Sequence, residues 1–310
     1  HQTKVISFHQ DEYYYFKERF ELINELNIDT VYTLLDSKYH KEVYKKRSKV
    51  NNVINTLTGY VDDSLIEKSK NSLNKSFHKT IDFGYRARPL PFFMGKGAQE
   101  KTNIAFEFKN RMKNSNFKLD IKTEEKDRIY GKKWHDFIIN CKAMIGVEAG
   151  VSIFDLDGVV KFQCDEFLKI NPKASFNDLY EKILKKYEDN IFYRTISPRV
   201  FECAAFKTCM VLFEGYYNGI IEPDIHYISL KKDFSNIEHV LSKFNDLKFR
   251  EKLIDNAFND LIKSQKYSYR KFINEFDSFL ELSSLSYKIS QKEIKLIKNF
   301  INSDILIRKA

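Results

Sequence analysis

Apolar and polar positions along the chain change period several times. Val5-Ile6-Ser7-Phe8 is a short β-branched and aromatic run and reads as a buried strand. Over residues 15–27 the apolar side chains Phe16, Phe20, Ile23 and Leu26 recur at helical spacing. Residues 29–35 are strand-like again, 38–47 form a charged helical stretch, and 53–57 make a third strand. Strand–helix–strand–helix–strand order implies a parallel sheet flanked by helices, here with only three strands.

Residues 61–77 read as a polar helix and linker. Residues 82–97 then hold three of the ten glycines and two of the five prolines, which marks a loop with special backbone demands before a helix over 99–113. Strands follow at 117–121, 143–147, 209–213 and 227–230. Helices are predicted at 129–140, around the only tryptophan, Trp134, and at 200–206, where Ser197 caps and Pro198 fills the first turn. Residues 161–188 look like a helical insertion. Amphipathic helices at 236–244, 248–263 and 269–280 and a Lys/Ile-rich helical tail at 289–309 close the chain. The pattern divides into a short N-terminal α/β domain (1–76), a larger α/β domain with a parallel sheet (77–280) and a helical tail (281–310).

Among 310 residues, 43% are hydrophobic and 31% charged, too much apolar material for a disordered chain. Lys and Arg outnumber Asp and Glu by 52 to 43, giving a net charge of +9, which suits an anionic partner: nucleic acid, a phosphorylated small molecule or an acidic membrane. Cys141, Cys164, Cys203 and Cys209 include no CxxC pair, so free thiols in a reduced cytoplasm are expected, without zinc or disulfides. No apolar run is long enough to span a membrane, and the first residues do not read as a signal peptide.

Five segments carry candidate chemistry. Arg86, Arg88, Lys96 and Lys101 surround Gly95 and Gly97 just before a helix start, an arrangement suited to a diphosphate; a basic surface turn is the alternative. Arg199 and Glu202 lie three apart near another helix start, where a carboxylate can accept two hydrogen bonds from a ribose diol; an exposed ion pair is the alternative. Glu148 follows a buried strand among small residues. His9, Asp11 and Glu12 follow the first strand and offer a general base, or a polar strand end with no catalytic role. His226 follows a Gly-containing loop and either touches a ligand or caps a turn. Asp155-Leu156-Asp157-Gly158 imitates a metal motif, yet lacks further ligands and reads as a polar turn.

The order of these segments is familiar. FGYRARPLPFFMGKGAQEK, then WHDFIINCKAMIGVEAGVSIFDLDG, then SPRVFECAAFKTCMVLFEGYYNGIIEPDIHYISLKKDFSN resembles the C-terminal half of bacterial GT-B glycosyltransferases of the "glycosyl transferases group 1" type. The resemblance covers residues 80–275. It implies two Rossmann-like domains with parallel sheets, the N-terminal one short or incomplete. It implies a nucleotide-sugar donor held by Arg86, Arg88, Lys101, Ser197, Arg199 and Glu202, no metal or other cofactor, and a glycan or lipid-linked acceptor. The catalytic base is then sought among His9, Asp11 and Glu12. Retaining members carry two glutamates eight positions apart; the first of these positions is Arg194 here, and Glu148 is a substitute by location. A cytoplasmic enzyme beside an anionic inner membrane face fits this picture, with no nucleic-acid partner. The other readings are a nucleotide-sugar epimerase or sugar phosphorylase, a basic nucleic-acid-binding protein and an idle scaffold.

Overall fold

The computed structural model describes residues 4–73, 79–282, 290–292 and 294–299. Residues 3–271 form one compact unit, and the chain from Phe272 belongs to a second.

The N-terminal sheet has three parallel strands, β1 (Ile6–Phe8), β2 (Thr30–Thr33) and β3 (Asn52–Asn55), in that order. Helix α1 (Phe16–Glu25) connects the first two; a 3-10 turn and a π-helical turn (Lys41–Lys45) connect the others. Helix α2 (Asp63–Leu73) follows, and the rest of the predicted linker lies partly outside the described residues.

The second sheet has five parallel strands. In chain order its elements are β4 (Ile81–Arg86), α3 (Lys96–Arg111), β5 (Leu119–Lys122), α4 (Gly131–Asn140) and β6 (Cys141–Gly146). An excursion of β7 (Ala149–Val151), α5 (Val159–Ile170), α6 (Phe176–Lys182) and β8 (Tyr193–Thr195) interrupts it; β7 and β8 pair antiparallel. The chain returns through α7 (Pro198–Ala205), β9 (Cys209–Phe213) and β10 (Ile228–Leu230), giving the strand order β10-β9-β6-β4-β5. Helices α8 (Ile237–Asn245), α9 (Leu247–Ala257) and α10 (Tyr269–Leu282) end the described elements. Of the predicted tail, residues 291–292 and 294–299 are helical and the remainder lies outside the described residues.

The expected α/β architecture with two parallel sheets is thus present. The five-stranded sheet is covered on both faces, which explains its near-continuous apolar strands. Met144, Met210 and Leu212 pack into one core with Phe137 and Phe201. Their strand neighbours Ala143, Ile145 and Val211 face the other side, with Phe83, Phe108 and Phe244. A third core joins the N-terminal sheet to the excursion through Phe16, Val31, Tyr44, Phe154 and Tyr193.

Two local expectations change. Gly84 is not in a loop: it lies within β4, where a Cβ would come 2.3 Å from Cys141 Sγ. The predicted helix at 161–188 is broken at Asn171-Pro172, after which Ser175 and Asp178 form a capping box that starts α6.

Candidate functional site

Loops diverge at the carboxyl ends of parallel strands, and ligands of α/β proteins bind there. Strands β1, β4 and β6 end at Phe8, Arg86 and Gly146. The residues just beyond these ends, Asp11, Arg88 and Glu148, line one cavity of about 240 Å³. Lys101 of α3 and Ser197 and Arg199 at the start of α7 line it too, as does Arg86. A neighbouring cavity of about 320 Å³ shares Arg86, Ala87, Arg88 and Arg199, and extends past Arg128, Tyr130 and Trp134. The two make one cleft.

Its charges are unevenly committed. The Arg86 guanidinium donates to the Asp120 carboxylate at 2.9 Å and to the carbonyls of Tyr85 and Asp120, and lies 4.3 Å from the Phe137 ring centre. Its charge is therefore answered internally, which lessens the diphosphate role expected of it. Arg88 is exposed and makes no ion pair among the described residues. Arg199 Nη2 donates to the Arg86 carbonyl at 2.7 Å, and its guanidinium sits 5.1 Å from both the Tyr85 and Trp134 rings. Arg199 Nε is buried without a partner among the described residues. Lys101 Nζ donates to the Gly150 carbonyl at 3.4 Å. Burial pulls its pKa down to about 8; Asp11 opposes this, and Arg199, Arg194 and Arg88 reinforce it.

Two carboxyls complete the cavity. Glu148 Oε1 accepts from the backbone N–H groups of Tyr216 and Tyr217, each at 2.9 Å, and burial raises its pKa. Asp11 stands in the left-handed region at φ 48°. Its loop is held by Arg19, which donates to the carbonyls of Gln10 and Asp11, and by the Tyr13 hydroxyl, which donates to Asp11 Oδ1 at 3.4 Å.

His9 and Glu12 lie beneath this loop and not on the cavity wall. Glu12 is fully buried and accepts from the Thr33 hydroxyl at 2.5 Å, the Leu34 N–H at 3.0 Å, the Tyr44 hydroxyl and the Tyr193 hydroxyl. These donors tie the end of β2, the π-helical turn and β8 to one carboxyl. His9 Nδ1 meets the Tyr44 hydroxyl at 3.1 Å, and burial lowers its pKa to about 4.

Glu202 is one residue removed from the cleft: the Trp134 indole N–H donates to its Oε2 at 2.8 Å, and Trp134 forms the wall. His226 is not brought to the cleft. Its Nδ1 accepts from the Glu222 N–H at 2.9 Å and its Nε2 meets Asp260 at 3.0 Å, so it braces the loop before β10.

The start of α3 departs from the expected phosphate cradle. The Lys96 N–H donates to Glu188 and the Gly97 N–H to Ser152 Oγ, so side chains already satisfy these groups, and Lys96 Nζ sits over the Tyr180 ring. The start of α7 reaches the cavity through Ser197, and it too is capped: Ser197 Oγ accepts from the Arg199 N–H at 3.4 Å, the Ser197 carbonyl accepts from the Val200 N–H at 2.9 Å, and Pro198 has no N–H. Asp155 caps α5 through the N–H groups of Val160 and Lys161, while Asp157 pairs with Arg47, in keeping with a polar turn.

Tyr13, Arg128, Tyr130 and Trp134 also line the cleft, and no motif marks them in the sequence. The solitary tryptophan was the one available signal, and its helical position gave no hint of a cleft.

No protein-family model matches the chain. No curated protein matches it in sequence. Solved structures with a similar course include TarM of S. aureus (13% identity, 89% of this chain and 50% of that one, TM-score 0.45). They also include HepE of Anabaena in complex with UDP-glucose (9% identity, 90% and 72%, TM-score 0.46). A third is sucrose-phosphate synthase of Thermosynechococcus elongatus (12% identity, 87% and 63%, TM-score 0.40). The chain spans half the length of TarM. No helix among the described residues is long and apolar enough to cross a membrane.

Proposed function

We propose that the chain is a glycosyltransferase that moves a sugar from a nucleoside-diphosphate sugar to an acceptor hydroxyl. The observation that carries this reading is the two-part cleft at the carboxyl ends of the strands. One part has an aromatic wall of Tyr130 and Trp134; the other has Asp11, Lys101 and Glu148; Arg88 and Arg199 stand where they join. A nucleoside suits the aromatic part and a sugar the carboxyl-lined part, with the diphosphate at the arginines between them.

On this reading the leaving diphosphate gathers negative charge as the glycosidic bond breaks. Arg88, Arg199 and protonated Lys101, with the positive end of the α7 dipole, stabilise that charge without a metal or other cofactor. Asp11 takes the acceptor proton. Glu148, held by two backbone N–H groups, hydrogen-bonds the transferred sugar. Arg86, Glu202 and Ser197 position the donor from behind.

The proposed acceptor is a cell-surface glycan or lipid-linked precursor met on the cytoplasmic side. The net charge of +9 favours association with an anionic membrane face.

A thermal-shift screen against nucleotide sugars, with and without a chelator, tests the reading, since a ligand that binds the native state raises its melting point. Chelator-insensitive stabilisation by at least one donor is expected. No stabilisation by any of them sinks the proposal.

A further inference from the structure

A third cavity, of about 190 Å³, opens at the carboxyl ends of β2 and β3 and is closed from the other side by β8 and the loop after β9. Of the positions named from sequence, only Arg194, where retaining members carry the first of their two glutamates, falls in it. Three of its polar side chains share one construction: each is anchored by one atom and leaves another uncommitted. Asn55 Nδ2 donates to the Leu35 carbonyl at 2.8 Å, leaving Oδ1 without a partner among the described residues. Asn218 Oδ1 accepts from the Ile196 N–H at 2.6 Å and the Thr195 hydroxyl at 2.8 Å, leaving its Nδ2 donors. Asp36 Oδ1 accepts from the Lys38 N–H at 3.0 Å, leaving Oδ2. The cavity thus offers an amide acceptor, an amide donor and a carboxylate oxygen, all held in place. Hydroxyl groups, which donate and accept at once, match such a set.

The remaining wall is aromatic. Phe192 and Tyr216 meet edge to face with centroids 5.8 Å apart, and Tyr216 is 51% exposed. An aromatic face attracts the weakly positive C–H groups of a sugar ring. Of the charged side chains on the cavity wall none favours an anion; Lys38, outside the wall, holds its Nζ 5.0 Å from the Tyr39 ring centre and 5.8 Å from that of Phe192. The guanidinium of Arg194 is answered by Glu100 at 3.0 Å, whereas the Asp36 carboxylate has no ion pair among the described residues and would repel a phosphate. The cavity also borders the cleft: the Tyr216 N–H bonds to Glu148, which lines the donor side.

We infer that this cavity is a saccharide subsite and that the acceptor presents an uncharged sugar ring to the enzyme, not a phosphate-bearing end. The acceptor role rests on the glycosyltransferase reading; the affinity for a neutral sugar does not.

The test uses saturation-transfer NMR with methyl glycosides of glucose, galactose and N-acetylglucosamine, and with glycerol 3-phosphate as the charged probe. Affinities for UDP, GDP, ADP and CDP are measured in parallel by calorimetry. At least one glycoside should give signals with the intact chain, while glycerol 3-phosphate gives none. Asp36→Asn and the surface change Tyr216→Ala should each weaken glycoside binding about tenfold, the size of one lost partner. Three results overturn the inference: no glycoside signal, signals unaltered in both variants, or preference for glycerol 3-phosphate. Failure of all four diphosphates to bind while glycosides still do would remove the donor reading and leave the subsite standing.

Discussion

The indole N–H of Trp134 donates to Glu202 Oε2 at 2.8 Å, so the carboxylate expected to meet a ribose also fixes the aromatic wall of the cleft. Removing it both deletes an acceptor and frees the ring. Glu202→Ala should weaken UDP binding by about 1–3 kcal/mol, the range for a lost charged hydrogen-bond partner. Because Trp134 is the only tryptophan, its fluorescence reports directly on this wall. Titration with UDP should change the emission of the intact chain, and the midpoint should move to higher concentration in Glu202→Ala. An identical midpoint would free Glu202 from any donor role.

Lys101 gives donor binding a pH signature. Its pKa of about 8 means that it is charged below that pH and neutral above it. A bound diphosphate favours the charged form. UDP affinity should therefore fall as pH rises from about 7 to about 9, a range in which the nucleotide's own phosphate charge is constant. Lys101→Met should bind more weakly at the lower pH and lose the slope. A slope of the same steepness in Lys101→Met would assign it to another group.

His9 should show in stability, not in donor binding. Its folded pKa of about 4 lies below the unfolded 6.5, so as pH falls through this interval the unfolded chain takes up a proton that the folded chain refuses. Stability contributed by this group is full above 6.5 and is lost toward 4. Burial raises the pKa of nearby Glu12, which acts in the opposite direction, so the comparison with His9→Gln isolates the histidine. Denaturant midpoints measured across this interval should decline more steeply for the intact chain than for His9→Gln.

Much of the scaffold was legible because strands of a doubly covered sheet are almost uniformly apolar: residues 209–213 were read with the bounds the structure has. The start of α7 was equally readable, since Ser197 and Pro198 are local signals. The site was legible in its charges but not in their partners. Nothing near Arg86 in sequence announces Asp120, and nothing near Gly97 announces Ser152, because both pairings cross between elements. The β7–β8 pair was missed for a similar reason. Each strand has three residues, too few for a periodic signal, and they meet across the α5–α6 excursion.

That pair supports a mutational prediction. Gly150 has φ 88°, and a Cβ there would lie 2.0 Å from the Tyr193 carbonyl oxygen, a backbone atom that cannot swing aside. Gly150→Ala should cost at least about 2–3 kcal/mol through overpacking and backbone strain. The Gly150 carbonyl is also the acceptor for Lys101, so UDP binding should weaken along with stability. A urea midpoint equal to that of the unaltered chain would mean that the pair is not built this way.

Asp11 and Glu148 are the two carboxyls on the cavity wall, and their surroundings assign them different work. Glu148 already accepts two backbone N–H groups on one oxygen and is buried, which suits a fixed contact to the sugar. Asp11 sits on a loop clamped by Arg19, with only a long contact to the Tyr13 hydroxyl. A base must reach an incoming hydroxyl, and Asp11 is the freer of the two. Asp11→Asn keeps the shape and removes the base. It should lower UDP affinity only modestly, through loss of the negative charge that favours protonated Lys101, while kcat falls about 10²–10⁴-fold, the usual contribution of a general base. Glu148→Gln should instead raise KM for the sugar donor, with a smaller loss in kcat. Full turnover in Asp11→Asn would take Asp11 out of the reaction and leave Glu148 as the carboxyl to test next.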